Sequence, residues 1–237
     1  MKRALTIGTF DGVHLGHQEL FKTLSQFGST QAITFSNHPF DVLNPAGISL
    51  PLTPPPFKQS LLSSYGIEKT AMLTFTQELA ALSYSEFLAP YDLEHLVIGD
   101  DAAIGRGRLG TPDALRLLGL QRGFQVHVVP KLKVDGEPVS STRIRFAIQE
   151  GALAKAERLL GRPYCFTISS AHVHSLLPPD GRYPVWAYSP GGIISTTLVI
   201  ENGIPHTPLE KPQLISFGLL NPTLIDCLCH PISLAEL

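Results

Sequence analysis

The first 24 residues restrict the fold more than any other segment, because they combine a short strand, a glycine-containing loop and a helix. Ala4–Ile7 is a short apolar run that predicts a β-strand. His17, Leu20, Phe21 and Leu24 follow at helical spacing and predict one apolar helix face. Glycines in the loop would let the chain turn tightly and let a ligand approach the backbone. The segment therefore predicts a ligand site where a strand gives way to a helix.

Two histidines stand at the start of this helix. His14 and His17 are three residues apart, so on a first helical turn their side chains point the same way. Free N–H groups and a partial positive charge make a helix N-terminus suitable for a phosphate. A lone histidine is more often a core or surface residue. The coincidence of strand, glycines, acid and two histidines instead favours phosphoryl or nucleotidyl transfer, which needs donors already aimed at the phosphate.

Composition restricts the class of protein. A chain of 237 residues with 43% hydrophobic and 16% charged residues can form one large domain, or a typical domain plus a small one. A net charge of −2 argues against a broad nucleic-acid interface. Neither a signal peptide nor a membrane-spanning run is evident, and the three cysteines make no disulfide framework. We expect a cytoplasmic protein that binds neither nucleic acid nor membranes.

Strand and helix signals alternate over the first two-thirds of the chain, which predicts an α/β fold with a mainly parallel sheet. The predicted strands there are Ala4–Ile7, Gln31–Phe35, Thr70–Phe75, His95–Ile98 and Gln125–Val129. After Gly161-Arg162-Pro163 come short β-like runs, which predict a small antiparallel sheet or partial barrel. These runs are Cys165–Ile168, Tyr183–Tyr188, Ile193–Ile200 and Leu214–Phe217. The predicted domains are therefore residues 1–163 and 164–237.

Polar clusters follow three of the predicted strands. Ser36–Pro39 follows the second strand, Gly99–Arg108 follows the fourth, and Val139–Arg145 lies beyond the fifth. In an open parallel sheet, ligands bind at the carboxyl ends of the strands. The clusters, together with the histidine loop, therefore predict one converging site.

The run Ser140-Ser141-Thr142 opens a predicted helix and suits a triphosphate, because hydroxyls and backbone N–H groups converge at the positive helix end. Arg145 lies one turn further along the same face and could reach a phosphate oxygen. A simple helix cap needs one hydroxyl, and here there are three. The pattern favours phosphate binding.

These motifs resemble the His-x-Gly-His nucleotidyltransferase superfamily. Within it, they resemble the bacterial FAD synthetases, which join a riboflavin kinase to an FMN adenylyltransferase. The resemblance rests on four segments in the family's order, and it covers about residues 1–164. The segments are Gly8–His17, Thr34–Pro39, Val139–Arg145 and Leu159–Tyr164.

The resemblance implies a Rossmann-like nucleotidyltransferase domain that converts FMN and ATP into FAD and pyrophosphate with Mg²⁺. His14 and His17 would donate to the α- and leaving phosphates. Arg145, the third catalytic candidate, would help to hold the β- and γ-phosphates. Asp101 would contact the flavin phosphate and the metal. The other expected contacts with the substrates come from Gly8, Thr9, Phe10, Asp11, His38, Ser140, Ser141 and Thr142.

The chain departs from the family pattern at two places in the first domain. Ser36 and Asn37 replace the family's acid and proline. Ala102 and Ile104 replace two aromatic residues near the flavin site, so apolar contact with a flat ring would be lost there. These changes put the affinity or pose of the flavin in question.

The tail departs further. The family's Gly-x-Pro-Thr-Ala-Asn string is missing after Gly161, although Leu177–Val185 resembles the strand that normally follows it. We expect a degenerate kinase-like barrel that no longer phosphorylates riboflavin.

Three alternatives stay open. One is a nucleotidyltransferase with another phosphorylated acceptor, such as a cytidylyltransferase acting on a phospho-alcohol. Another is a fully bifunctional kinase and adenylyltransferase. The third is a non-catalytic flavin- or nucleotide-binding regulator, which the altered residues 36, 37, 102 and 104 suggest and the intact histidines oppose.

Overall fold

The structure is a computed structural model, and its described part comprises residues 3–44, 50–168, 175–189, 192–208, 213–222 and 224–225. The chain divides into two compact units. The first consists of Met1–Phe10, Gly16–Ser49 and Tyr65–Leu132, and the second of Asp11–Leu15, Leu50–Ser64 and Lys133–Leu237. These units group residues by proximity and do not test the predicted domain boundary at residue 163, which stays a prediction.

The first unit contains a five-stranded parallel sheet, as the alternation of strand and helix signals predicted. Its strands are β1 (Arg3–Ile7), β2 (Ser29–Phe35), β3 (Lys69–Leu73), β4 (His95–Gly99) and β5 (Gln125–Val129). The strand order is β3-β2-β1-β4-β5. The order reverses at β1, and such a switch point is where open α/β sheets bind ligands. The histidine loop begins directly after β1 and so lies at this point in the topology.

The described part of the chain contains α1 (Leu15–Leu24), α2 (Pro39–Leu43), α3 (Pro55–Ser64), α4 (Gln77–Ala81), α5 (Tyr84–Leu88), α6 (Pro112–Arg122), α7 (Ser141–Gln149) and α8 (Leu153–Leu160). Leu20, Phe21 and Leu24 of α1 are buried, which confirms the predicted apolar face. None of the helices in this part of the chain is both long and apolar enough to cross a membrane.

The core of the first unit lies where the central strands meet α5 and α6. Leu5, Ile33 and Leu96 come from the strands, and Leu88 and Leu115 come from the two helices. Each side chain of this size contributes about 1.5–3 kcal/mol when it is fully buried. This packing fixes the sheet whose carboxyl edge carries the polar segments.

The second unit contains an antiparallel five-stranded sheet, which confirms the predicted β-rich tail. The unit also contains two two-residue strands, β6 (Lys133–Val134) and β7 (Glu137–Pro138). The strands of the five-stranded sheet are β8 (Cys165–Ile168), β9 (Gly181–Ser189), β10 (Gly192–Glu201), β11 (Ile204–His206) and β12 (Gln213–Ser216). Their order in the sheet is β11-β10-β9-β12-β8. Cys165 is buried, and Cys227 and Cys229 lie outside the described residues.

Candidate active site

The loop between β1 and α1 has an unusual backbone. Phe10, Gly12 and Val13 have φ angles of 45°, 84° and 42°. Gly12 adopts this region without steric cost, but Phe10 and Val13 carry a Cβ and Val13 is also β-branched. Such strain costs about 1–3 kcal/mol per residue and clusters at functional sites, where surrounding contacts must hold it. The strained turn directly precedes His14.

The two histidines lie at the start of α1. His14 immediately precedes the first helical residue, Leu15, and His17 lies in the first turn. This is the placement that their spacing predicted. The helix leaves its first N–H groups without intrahelical partners, so the same end of α1 offers backbone donors and a positive dipole.

Phe10 is packed into the protein. Its ring is 2% exposed and meets the ring of Phe21 edge-on at 5.1 Å between centroids. It also meets the imidazole of His17 edge-on at 5.3 Å. Phe10 therefore packs against the His17 ring, and its predicted place in the lining of the nucleotide pocket stays a prediction.

Asp11 connects three segments of the second unit. Its Oδ1 accepts hydrogen bonds from the backbone N–H groups of Leu52 at 2.9 Å and Thr53 at 3.1 Å. Its Oδ2 forms an ion pair with Nη2 of Arg145 at 2.5 Å. The carboxylate, 4% exposed, is thus occupied by protein partners and anchors the turn that precedes His14.

The start of α7 contacts this turn. Ser141 Oγ donates to the backbone oxygen of Asp11 at 2.8 Å, although the two residues lie 130 positions apart. Ser140 is the N-cap of α7, and its side chain accepts from the N–H of Arg143 at 3.3 Å. Thr142 is exposed. The structure therefore brings the Ser-Ser-Thr run to the loop that carries His14.

Both arginines of α7 are held by protein groups. Arg145 donates to the carbonyl of Leu50 besides pairing with Asp11, and its side chain is 19% exposed. Arg143 pairs with Glu137 at 3.1 Å. A phosphate that reached Arg145 would have to share it with the Asp11 carboxylate, so its predicted phosphate contact stays a prediction.

Lys58 adds a second positive charge near Asp11, and it was not among the predicted site residues. Burial lowers the pKa of Lys58 to about 8, and the Asp11 carboxylate partly opposes that shift. The side chain lies on α3, which follows the segment that donates to Asp11. Lys58 follows three consecutive prolines, and nothing in the local sequence predicts that this lysine is buried.

Arg162 is another residue that sequence reasoning did not assign. It is 5% exposed, and its Nη2 donates to the carbonyl of Gly12 at 2.9 Å. Tyr164, two residues further on, donates from its hydroxyl to the carbonyl of Leu176 at 2.7 Å. Burial raises the pKa of Tyr164 far above its usual value. Arg162 was noted only as part of a family-like Gly-Arg-Pro segment.

The residues that depart from the family pattern after β2 have structural partners. The amide of Asn37 donates to the carbonyl of Phe75 at 2.9 Å and accepts from its N–H at 2.7 Å. Ser36 Oγ lies 3.3 Å from the Thr74 hydroxyl. His38 caps α2, its Nδ1 accepting from the N–H of Phe40 at 3.1 Å. Ser36 and Asn37 thereby join the carboxyl ends of β2 and β3.

The segment after β4 carries the predicted metal contact. Asp101 forms an ion pair with Lys131 at 3.1 Å, and Ala102 and Ile104 pack against the core of the first unit. Within the described residues, no three His, Cys, Asp or Glu side chains are grouped to hold a metal ion. Mg²⁺ commonly binds through one or two carboxylates, substrate phosphates and water. The exposed carboxylate of Asp101 fits an ion that arrives with its nucleotide.

Comparison with known families adds to this geometry. The model of the family described as FAD synthetase matches residues 1–143. A protein named FAD synthetase from Listeria monocytogenes is 33% identical over 208 residues, which cover 81% of this chain and 83% of that protein. The match therefore extends beyond the residues of the family model.

Relatives with two named activities also match. A bifunctional riboflavin kinase/FMN adenylyltransferase from Buchnera aphidicola is 33% identical over 229 residues, 92% of this chain and 71% of that protein. Its counterpart from Escherichia coli K12 is 32% identical over 180 residues, 72% of this chain and 57% of that protein.

One solved structure shares the fold over most of the chain. It is a protein from Streptococcus pneumoniae described as a macrolide-efflux protein, with a TM-score of 0.75 and 22% identity. The match covers 91% of this chain and 92% of that one. At this identity the likeness shows the fold alone.

Proposed function

The chain belongs to the FAD synthetase family, and we propose that it transfers AMP from ATP to FMN, forming FAD and pyrophosphate. One observation carries this proposal: Ser141 of the hydroxyl-rich turn contacts Asp11 of the histidine loop at 2.8 Å. Two sequence motifs that suit phosphates are thus brought together, although they are far apart in the chain.

In this reaction an oxygen of the FMN phosphate attacks the α-phosphorus of ATP. The bond between the α-phosphorus and its bridging oxygen breaks, and pyrophosphate leaves with the electron pair. Charge increases on the transferring group and on the leaving oxygen. The protein therefore acts chiefly by positioning the reactants and stabilising this charge.

His14 and His17 are the proposed donors to the α-phosphate and the leaving phosphate. Each needs a proton on the ring nitrogen that faces the phosphate. Phe10 packs edge-on against His17 and restricts that ring. The strained turn at residues 10–13 fixes the backbone from which His14 projects.

The N-terminus of α7 is the proposed site for the β- and γ-phosphates. Its first backbone N–H groups and the exposed Thr142 hydroxyl are suitable donors. The hydroxyls of Ser140 and Ser141 already have protein partners, so these residues would support the turn. They would also contact ATP. Mg²⁺ supplies charge neutralisation when bound with the nucleotide, and Asp101 is its proposed protein contact.

We propose that the chain makes FAD without making FMN. It covers 83% of a relative named for FAD synthesis alone, and its tail lacks the family's Gly-x-Pro-Thr-Ala-Asn string. The cytoplasmic location and the absence of nucleic-acid or membrane partners stay predictions.

A product assay tests the function. The purified chain is incubated with Mg-ATP and, in separate reactions, riboflavin, FMN or glycerol 3-phosphate, and a CTP series covers the cytidylyltransferase alternative. Chromatography should show FAD from FMN alone. FMN formed from riboflavin would refute loss of the kinase, and a nucleotidylated phospho-alcohol would identify another acceptor. Flavin binding without any product would indicate a regulator.

A further inference from the structure

Arg162 reaches the backbone of the histidine loop from the segment after α8. Its Nη2 donates to the carbonyl of Gly12 at 2.9 Å, and Gly12 lies two residues before His14. Gly12 has a φ of +84°, and Phe10 and Val13 in the same turn also have a positive φ. A hydrogen bond to this carbonyl fixes the peptide plane at the centre of the turn.

The contact is not isolated. Tyr164 donates to the carbonyl of Leu176, and the N–H of Leu176 donates to the carbonyl of Pro51 at 3.3 Å. The next residue, Leu52, donates to Asp11. Hydrogen bonds and short chain segments therefore form a closed ring from Gly12 through the tail and back to Asp11.

Stability alone does not account for Arg162. The residue is 5% exposed, and its Nε and Nη1 have no hydrogen-bond partner among the residues that the structure describes. A buried guanidinium that uses one of its donor atoms is costly, and an apolar side chain of similar volume would avoid that cost. What an apolar residue could not provide is the hydrogen bond to Gly12.

We infer that Arg162 is a positioning residue for adenylyl transfer: through the Gly12 carbonyl it sets the backbone that aims His14. This inference rests on the proposed function. In this proposal the segment after α8 supports the catalytic loop. That role does not depend on any kinase activity of the chain. A displacement of a catalytic group by about 1 Å can cost about 100-fold in rate.

Arg162→Met tests the inference, since it retains volume and removes the donor. We expect kcat for FAD formation to fall about 10–100-fold, with KM for ATP and FMN changed little, because a misaimed His14 affects the transition state most. The midpoint of thermal unfolding should stay the same or rise. Arg162→Lys, which keeps a donor, should recover part of the rate.

Arg158→Met is the matched control, because Arg158 lies on α8, is 60% exposed and pairs with Asp135. It should leave kcat unchanged. If Arg162→Met lowered only the unfolding midpoint and left kcat unchanged, Arg162 would be a structural residue and the inference would be wrong. Equal rates for Arg162→Met and Arg162→Lys would show that the donor is irrelevant and would also overturn it.

A measurement that is independent of activity separates this inference from the proposed function. Amide hydrogen exchange of a peptide containing Gly12–Leu15 should be faster in Arg162→Met than in wild type and Arg158→Met, while α6 peptides remain unchanged. Unchanged exchange in the loop would contradict the positioning role. If exchange were faster in Arg162→Met but the wild-type chain made no FAD, the contact between Arg162 and Gly12 would be supported and the proposed function refuted.

Discussion

Asp11 illustrates, at the scale of single residues, how the candidate site is held together. Its carboxylate accepts from two backbone N–H groups and pairs with Arg145, while its carbonyl accepts from Ser141. Removal of one partner from such a buried network leaves other polar groups unsatisfied, which is costlier than loss of one exposed bond. Asp11 therefore holds the loop through its carboxylate, and its predicted contact with the nucleotide stays a prediction.

His17→Ala should lower the rate of FAD formation about 100–1,000-fold, the usual effect of removing one donor aimed at developing charge. The variant should still fold, since the neighbouring Phe10 and Phe21 remain packed in the core. Steady-state kinetics at saturating ATP and FMN measure the change. His206→Ala, at an exposed position on β11, is the control. A folded His17→Ala protein with wild-type kcat would remove His17 from the mechanism.

Lys58→Met should change how stability depends on pH. The pKa of Lys58 is about 8 in the folded chain and near 10.5 when unfolded, so the unfolded state binds the extra proton between these values. The buried charge is unfavourable below pH 8, and the penalty disappears as pH rises to 10.5. The 2.5-unit difference corresponds to about 3 kcal/mol at most.

Chemical unfolding at pH 7 and pH 10 measures this difference. The Lys58→Met variant should be more stable than wild type at pH 7, and its advantage should shrink at pH 10. Lys22→Met, on the exposed part of α1, is the control with an ordinary exposed lysine. If the difference in unfolding free energy between Lys58→Met and wild type did not vary with pH, Lys58 would not be a buried charged group.

Some residue-scale features follow from the sequence and others do not. The Ser140 cap and the placement of His14 and His17 depend on neighbours a few residues away, so local rules predict them. The Asp11–Arg145 pair joins residues 134 positions apart, and the partner of a buried carboxylate cannot be identified from local sequence.

At the scale of elements, helix ends were the most predictable feature. Ser83 and Glu86 form both hydrogen bonds of a capping box on α5, as the Ser-x-x-Glu spacing indicates. Thr111 caps the start of α6, and the left-handed Gly123 follows its last residue. Thr53 precedes α3, but its side chain does not cap that helix. Its Oγ1 has no hydrogen-bond partner among the described residues, and its N–H donates to Asp11.

Gly105→Ala should disrupt the approach between the β4–α6 connection and α5. A Cβ at Gly105 would lie 2.4 Å from the backbone nitrogen of Tyr84, and φ there is +75°. Gly136→Ala is the matched control, because φ is +79° and nothing lies within 4 Å of its Cβ. The control should cost about 1–2 kcal/mol from backbone conformation alone, and Gly105→Ala clearly more.

Thermal and urea unfolding compare the two variants. Equal losses of unfolding free energy in the two variants would show that the α5 contact is absent and that only the left-handed backbone matters. Gly105 belongs to the polar cluster predicted after the fourth strand, but the close approach of Tyr84 depends on packing between elements and could not be predicted.

At the scale of the whole molecule, both sheets were predictable in kind. Alternating strand and helix signals gave a parallel sheet, and short runs separated by proline and glycine gave an antiparallel one. The compact units were not predictable, because Asp11–Leu15 and Leu50–Ser64 group with residues after 132. Asp11 and Gly12 form hydrogen bonds with residues of those segments, and these partners are distant in sequence.

The central claim is that this chain moves the α-phosphoryl group of ATP, as AMP, onto FMN. The most direct test follows two labels, one on the α-phosphorus and one on the γ-phosphorus of ATP, through reactions with FMN and with riboflavin. With FMN, we expect the α-label in FAD and the γ-label in pyrophosphate, and with riboflavin neither label should enter a flavin. Transfer of the γ-label to riboflavin, or absence of the α-label from flavin, would contradict the account.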